Sequence, residues 1–140
     1  MLSNNLVALG HEVEVVTLDT KGDLKKIDCL NGVSVRRFRG FAPKNCYFFP
    51  SPKATAYLKL VKADIVHAHS LNALLVPACW LAVRKRRDIS FVLSPHHSPS
   101  GTAWHTKMFW KPYKPMARRV IKSANRLHCV SDYEARLVKE

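Results

Sequence analysis

Hydrophobic positions change their period several times along the chain, and each change predicts an element. Leu2, Leu6, Val7 and Leu9 recur near helical spacing and stop at Gly10, the residue type that most readily takes the left-handed conformation closing a helix. His11 to Leu18 is rich in β-branched residues and Asp19 to Gly22 supplies a turn, so a strand follows the helix. Gly32 to Arg39 alternates Val33, Val35 and Phe38 with Arg36, Arg37 and Arg39, which predicts a short and rather exposed strand. Gly40 to Pro52 holds three prolines and the aromatic trio Tyr47, Phe48 and Phe49, and predicts a loop with an apolar tip.

Lys53 to Lys62 is weakly helical, Ala63 to Ala68 is an apolar strand, and Leu71 to Arg87 is a buried helix whose cationic end suits the negative pole of a helix dipole. Ile89 to Leu93 is the next strand. Thr106 to Ser123 has helical spacing interrupted by Pro112 and Pro115, so only Met116 to Ser123 is predicted to be regular. Arg126 to Val130 reads as a strand, and Ser131 with Glu134 has the spacing of a capping box opening a last helix. Strands alternating with helices predict an α/β fold, a Rossmann-like parallel sheet with helices on both faces, whose ligands bind at the carboxyl ends of its strands.

At 140 residues the chain has the length of one domain, with a core but with little room for an enzyme of two substrates. Lysine and arginine number 23 against 10 aspartate and glutamate, a formal charge of +13, which implies an anionic partner. The excess is local. No acidic residue occurs from Ile89 to Ser131, whereas Lys107, Lys111, Lys114, Arg118, Arg119, Lys122 and Arg126 do, a tract that suits phosphates or an anionic membrane surface. The same tract also fits a solvated helix face.

The longest apolar run, Leu71 to Val83, has 13 residues and includes Asn72 and Pro77, well short of the roughly 20 needed to cross a bilayer. No charged leader with a cleavage site opens the chain, so no signal peptide is expected. Cys29, Cys46, Cys79 and Cys129 lie far apart without a CxxC pair, and reduced thiols in a cytoplasmic protein are expected.

Candidate chemistry gathers at two strand ends. Asp64-Ile65-Val66-His67-Ala68-His69-Ser70 and Ser94-Pro95-His96-His97-Ser98-Pro99-Ser100-Gly101 are each an apolar run ending abruptly in histidines and small polar residues, and together they predict one shared cleft. His67 and His69, two apart on a strand, point to one face. Zinc ligation by this pair is one reading, although Asp64 lies at the wrong end of the strand to complete such a site. His67 as a packing residue bonded by backbone groups is another, and His69 beside Ser70 is placed to face a ligand. His96, the first polar side chain past the second strand, can donate a hydrogen bond to a phosphate oxygen or sugar hydroxyl. Pro95 and Pro99 stiffen that loop, Ser98, Ser100 and Thr102 offer hydroxyls, and Gly101 permits close backbone approach. No Gly-x-Ser-x-Gly occurs, and the five glycines form neither a phosphate-loop nor a dinucleotide pattern.

Four segments in order carry a resemblance: Leu9-Gly10-His11-Glu12-Val13-Glu14-Val15, Ala63 to Ser70, Ser94 to Gly101, and Ala124-Asn125-Arg126-Leu127-His128-Cys129-Val130-Ser131-Asp132-Tyr133-Glu134. Together they resemble the amino-terminal domain of family 4 glycosyltransferases. The resemblance implies half of a two-domain GT-B enzyme that moves a sugar from a nucleotide-sugar to an acceptor, lipid-linked acceptors included, with retention of configuration. It implies residues 1–140 as a partial amino-terminal domain, opening after the family's first strand and glycine-rich turn and lacking the carboxy-terminal nucleotide-sugar domain. On its own such a chain is expected to be inactive.

Carried over by motif, the resemblance gives His96 the catalytic position and assigns His69, Ser70, His97, Ser98, Ser100 and Gly101 to the acceptor wall. No metal and no cofactor are implied beyond the nucleotide-sugar co-substrate, and no nucleic-acid partner is expected. The basic residues Lys107, Lys111, Lys114, Arg118, Arg119 and Lys122 are candidates for contact with an anionic membrane surface, which would make the protein peripheral to the inner face of a membrane. A non-catalytic basic module binding polyanions or anionic lipid is the alternative from another class, and a zinc hydrolase using His67 and His69 is a third.

Overall fold

The computed structural model describes residues 2–42, 49–96 and 104–139, with the side chains of 104–111 and of 139 outside the description. The chain divides into two compact units, Met1–Ala54 and Thr55–Glu140. It is a mixed α/β structure whose helices and parallel strand pairs are those of a Rossmann-like fold.

In the first unit α1 (Leu2–Ala8) ends as predicted at Gly10, whose φ is +87°. The Gly10 N–H bonds Val7 O at 2.9 Å and the His11 N–H bonds Leu6 O at 3.1 Å, the paired bonds that satisfy the last carbonyls of a helix. β1 (Glu14–Asp19) runs parallel to β3 (Val33–Phe41). Beside this parallel pair, β2 (Ile27–Leu30) and β4 (Phe49–Pro50) both pair antiparallel with β3. β3 is also longer and more central than expected: Val33 and Val35 are buried, and its arginines face carboxylates on both neighbouring strands. Arg36 Nε donates to Glu14 Oε1 at 2.8 Å, and Arg37 Nη1 lies 3.3 Å from Asp28 Oδ2. The turn after β1 is held by Asp19, whose carboxylate accepts the Gly22 N–H at 2.6 Å and the Leu24 N–H at 3.2 Å. The Gly22 bond is the main cause that lowers its pKa, with Arg39 adding to the effect.

α2 (Pro52–Leu60) opens with the Ser51 hydroxyl accepting the Ala54 N–H at 3.3 Å, and leads into the second unit. There β5 (Ile65–His69), β6 (Ser90–Ser94) and β7 (Arg126–Leu127) form a parallel sheet in that order. α3 (Leu75–Val83) buries Val76, Cys79, Trp80 and Val83 and is shorter at both ends than the predicted 71–87 helix. α4 (Trp104–Ser123) is continuous through both prolines, contrary to the expected break. Pro112 and Pro115 are exposed, so their rings stand on the solvent side of the helix.

Ala117 and Val120 turn the other face of α4 inward, and together with Leu71, Phe91 and Leu93 they belong to the buried core of this unit. β7 is shorter than its predicted span. Ahead of it the Asn125 side-chain Oδ1 accepts the Phe91 N–H at 2.8 Å, and the Asn125 backbone N–H donates to Phe91 O at 2.8 Å. α5 (Asp132–Lys139) begins with the predicted capping box. Ser131 Oγ accepts the Glu134 N–H at 3.2 Å, and the buried Glu134 carboxylate reaches back to the Val130 N–H at 2.8 Å. Among the described residues no helix is long and apolar enough to cross a membrane.

Candidate functional site

The register of the second sheet determines which side chains share a face. Parallel pairing sets His69 opposite Ser94, Ala68 opposite Leu93, and Leu93 opposite Leu127. Side chains alternate along a strand, so His67, His69, Ser94 and His128 fall on one face while Ala68 and Leu93 fall on the other, where both are buried. The sheet thereby brings histidines from three separate stretches of sequence to its carboxyl edge.

His69 Nδ1 lies 3.2 Å from His96 Nε2, and the two rings stack with centroids 5.4 Å apart. The two strand ends predicted to lie together are therefore in contact through these two side chains. His67 packs against His69 with ring centroids 4.1 Å apart. The expectation that backbone groups would satisfy His67 is corrected: its Nε2 bonds Ser94 Oγ at 2.8 Å. Ser94 Oγ in turn lies 3.0 Å from His128 Nδ1, so one fully buried hydroxyl bridges two imidazoles.

The backbone around the cleft is shaped at the residues that follow the strands. Ser70 has φ +68° and His96 has φ +45°, left-handed conformations uncommon outside glycine, although histidine visits them more than most. Both turns are held by ladder-like bonds, Ser70 N–H to Ser94 O at 3.0 Å and Leu71 N–H to Pro95 O at 2.7 Å. Tyr113 on α4 donates its hydroxyl to Leu71 O at 2.6 Å, which fixes the same corner, and burial pushes its pKa up to about 12.

Electrostatics favour the neutral form of His67 and of His69. Burial, then the like charge that His69, His128 and His96 would carry, hold His67 at about 4. Burial, then His96 and His128, also lower the pKa of His69. A neutral imidazole presents one N–H donor and one bare nitrogen to hydroxyl and phosphate groups.

Of the other predicted site residues, Ser70 stands at the cleft, whereas His97, Ser98, Ser100 and Gly101 lie outside the described residues. Lys114, Arg118, Arg119 and Lys122 are exposed on α4. Lys107 and Lys111 occupy helix positions that continue the row of Lys114, Arg118 and Lys122 at three- and four-residue steps. Among the described residues no group of three or more His, Cys, Asp or Glu side chains is arranged to hold a metal ion. Among the described residues Cys29, Cys79 and Cys129 form no disulfide, and burial raises Cys79 to about 11, which leaves it unreactive.

A depression of about 490 Å³ lined by Lys62, Ala63, Asp64, Arg86 and Asp88 lies at the amino ends of β5 and β6, away from the histidines. Its Arg86 is engaged by Asp88 and by Val61 O, a structural role. Ser94 and His128 are the functional candidates that sequence reasoning did not single out. The signal for His128 lay in strand register, which a single sequence does not display.

The family profile described as Glycosyltransferase Family 4 matches residues 1–140. No curated protein and no solved structure matches the chain significantly. The paired strand ends with their histidine row and the match along the whole chain agree: this protein belongs to glycosyltransferase family 4, as an amino-terminal domain of such an enzyme.

Proposed function

We propose that this domain forms the acceptor side of a retaining sugar transfer from a nucleotide-sugar, with His96 at the reacting end of the cleft. The observation that carries this reading is the His69–His96 contact at 3.2 Å across the carboxyl edge of a parallel sheet, where such folds bind their ligands. His96 Nε2 faces His69 Nδ1, so one of the two nitrogens supplies the proton. When His69 donates it, His96 Nε2 accepts, and His96 Nδ1–H can give a hydrogen bond to a sugar hydroxyl or a departing phosphate oxygen. A donor already in place as negative charge develops lowers the barrier without reorganisation.

In this reading the transfer needs neither a protein nucleophile nor a resident metal ion. Ser94, the hydroxyl nearest the histidines by hydrogen bonding, is fully buried and bonded to two of them. Ser70 and the segment from His97 to Gly101 complete the acceptor wall, and the nucleotide-sugar is bound by a carboxy-terminal domain. The exposed cations of α4 hold the domain on an anionic membrane surface facing the cytoplasm, near lipid-linked acceptors.

The test is a transfer assay with a panel of nucleotide-sugars on this domain joined to a carboxy-terminal domain of the family, beside the 140-residue chain alone. Transfer with retained configuration by the joined protein, and none by the chain alone, is the expected result. Binding to any polyanion with steep salt dependence, without transfer by the joined protein, would instead identify a non-catalytic basic module.

A further inference from the structure

We propose that Ser94 locks His67 and His128 into the same tautomer, which makes Ser94 and His128 positioning residues for the histidine row at the cleft. The inference rests on the reading of that row as the sugar-transfer site and extends it to one residue on β6 and one directly after β7.

The lock follows from a count of protons. The Ser94 hydroxyl has one hydrogen and is fully buried, and its recorded partners among the described residues are His67 Nε2 at 2.8 Å and His128 Nδ1 at 3.0 Å. If the hydroxyl donates to His67 Nε2, it accepts from His128 Nδ1–H, and both rings carry their proton on Nδ1. If it donates to His128 Nδ1, it accepts from His67 Nε2–H, and both rings carry their proton on Nε2. In a neutral triad a mixed pair leaves either one contact without a hydrogen or, when both nitrogens donate, the hydroxyl hydrogen without an acceptor in the triad. A buried polar group left so is costly, on the order of 1–3 kcal/mol.

The lock reaches the cleft through packing. The His67 ring lies 4.1 Å from the His69 ring, and His69 contacts His96. Fixing the tautomer of His67 fixes the direction of its ring dipole against His69, and with it the surroundings in which His69 shares a proton with His96. The titratable groups acting on His67 are His69 on its own strand, His128 after β7 and His96 after β6.

The test is a long-range proton–nitrogen correlation spectrum of the histidine-labelled 140-residue chain near neutral pH, in which each neutral imidazole reveals the nitrogen that carries its proton. His67 and His128 are expected to show one tautomer each, and the same one. Ser94→Ala and His128→Phe are expected to abolish the single-tautomer signature of His67, while His128→Asn, which keeps a hydrogen-bonding atom near the position of Nδ1, preserves it. His128 is exposed, so its variants keep the question open to measurement even if Ser94→Ala fails to fold. Opposite tautomers on the two rings, or an unchanged His67 in His128→Phe, would overturn the lock. No turnover is read, so a protein with linked tautomers and no sugar transfer refutes only the assigned activity, and one with transfer but unlinked tautomers refutes only the lock.

Discussion

His69 Nδ1 and His96 Nε2 approach to 3.2 Å although 27 residues separate them in the chain. Parallel pairing of β5 with β6 brings them together: the strands end level, with His69 opposite Ser94, and His96 follows two residues later with φ +45°. Two imidazoles in this contact share one hydrogen when neutral, and a second positive charge on the pair is repelled by the first.

Acid sensitivity follows from His67. Its proton is held more weakly in the folded protein, at about 4 against an ordinary 6.5, than in the unfolded chain. The stability that the neutral ring contributes is therefore fully present above about pH 6.5 and is lost as the pH falls toward 4. Denaturant midpoints measured from pH 7.5 down to pH 4.5 are expected to decline through this window and to decline less in His67→Gln. An identical pH slope in the variant would contradict the assignment.

The start of α5 gives a test of local structure. Ser131 and the buried Glu134 exchange bonds at the helix entrance, so Ser131→Ala is expected to lower stability by about 1 kcal/mol. Ser131→Asp should retain most of it, since an aspartate caps as well and suits the positive end of the helix. Chemical denaturation of the three proteins measures this.

The basic face of α4 is testable on vesicles. Replacing Lys114 and Lys122 by Gln is expected to weaken binding to phosphatidylserine-containing vesicles by roughly fivefold per charge and to reduce its salt dependence. Vesicle sedimentation that is unchanged in the double variant would remove this helix from the membrane contact.

Much of the site could be read from the chain because strand ends have a local signature: Ile65 to His69 and Phe91 to His96 pass abruptly from apolar to polar residues. The Gly10 helix stop and the Ser131–Glu134 cap were legible for the same reason, since each depends on residues within one turn. What escaped was set by pairing at a distance. β2 has little alternation of its own and exists because Arg37 and the β3 backbone receive it. The His67–Ser94–His128 bridge depends on the registers of two parallel strand pairs, and α4 passes its prolines because they face solvent.

Turnover of His96→Ala, measured in the domain joined to its carboxy-terminal partner with donor and acceptor saturating, tests the central claim most directly. Loss of one preorganised donor predicts a fall in kcat of about 100-fold or more with the fold intact. Turnover within a few-fold of the unchanged protein would contradict a role for the His69–His96 cleft in sugar transfer.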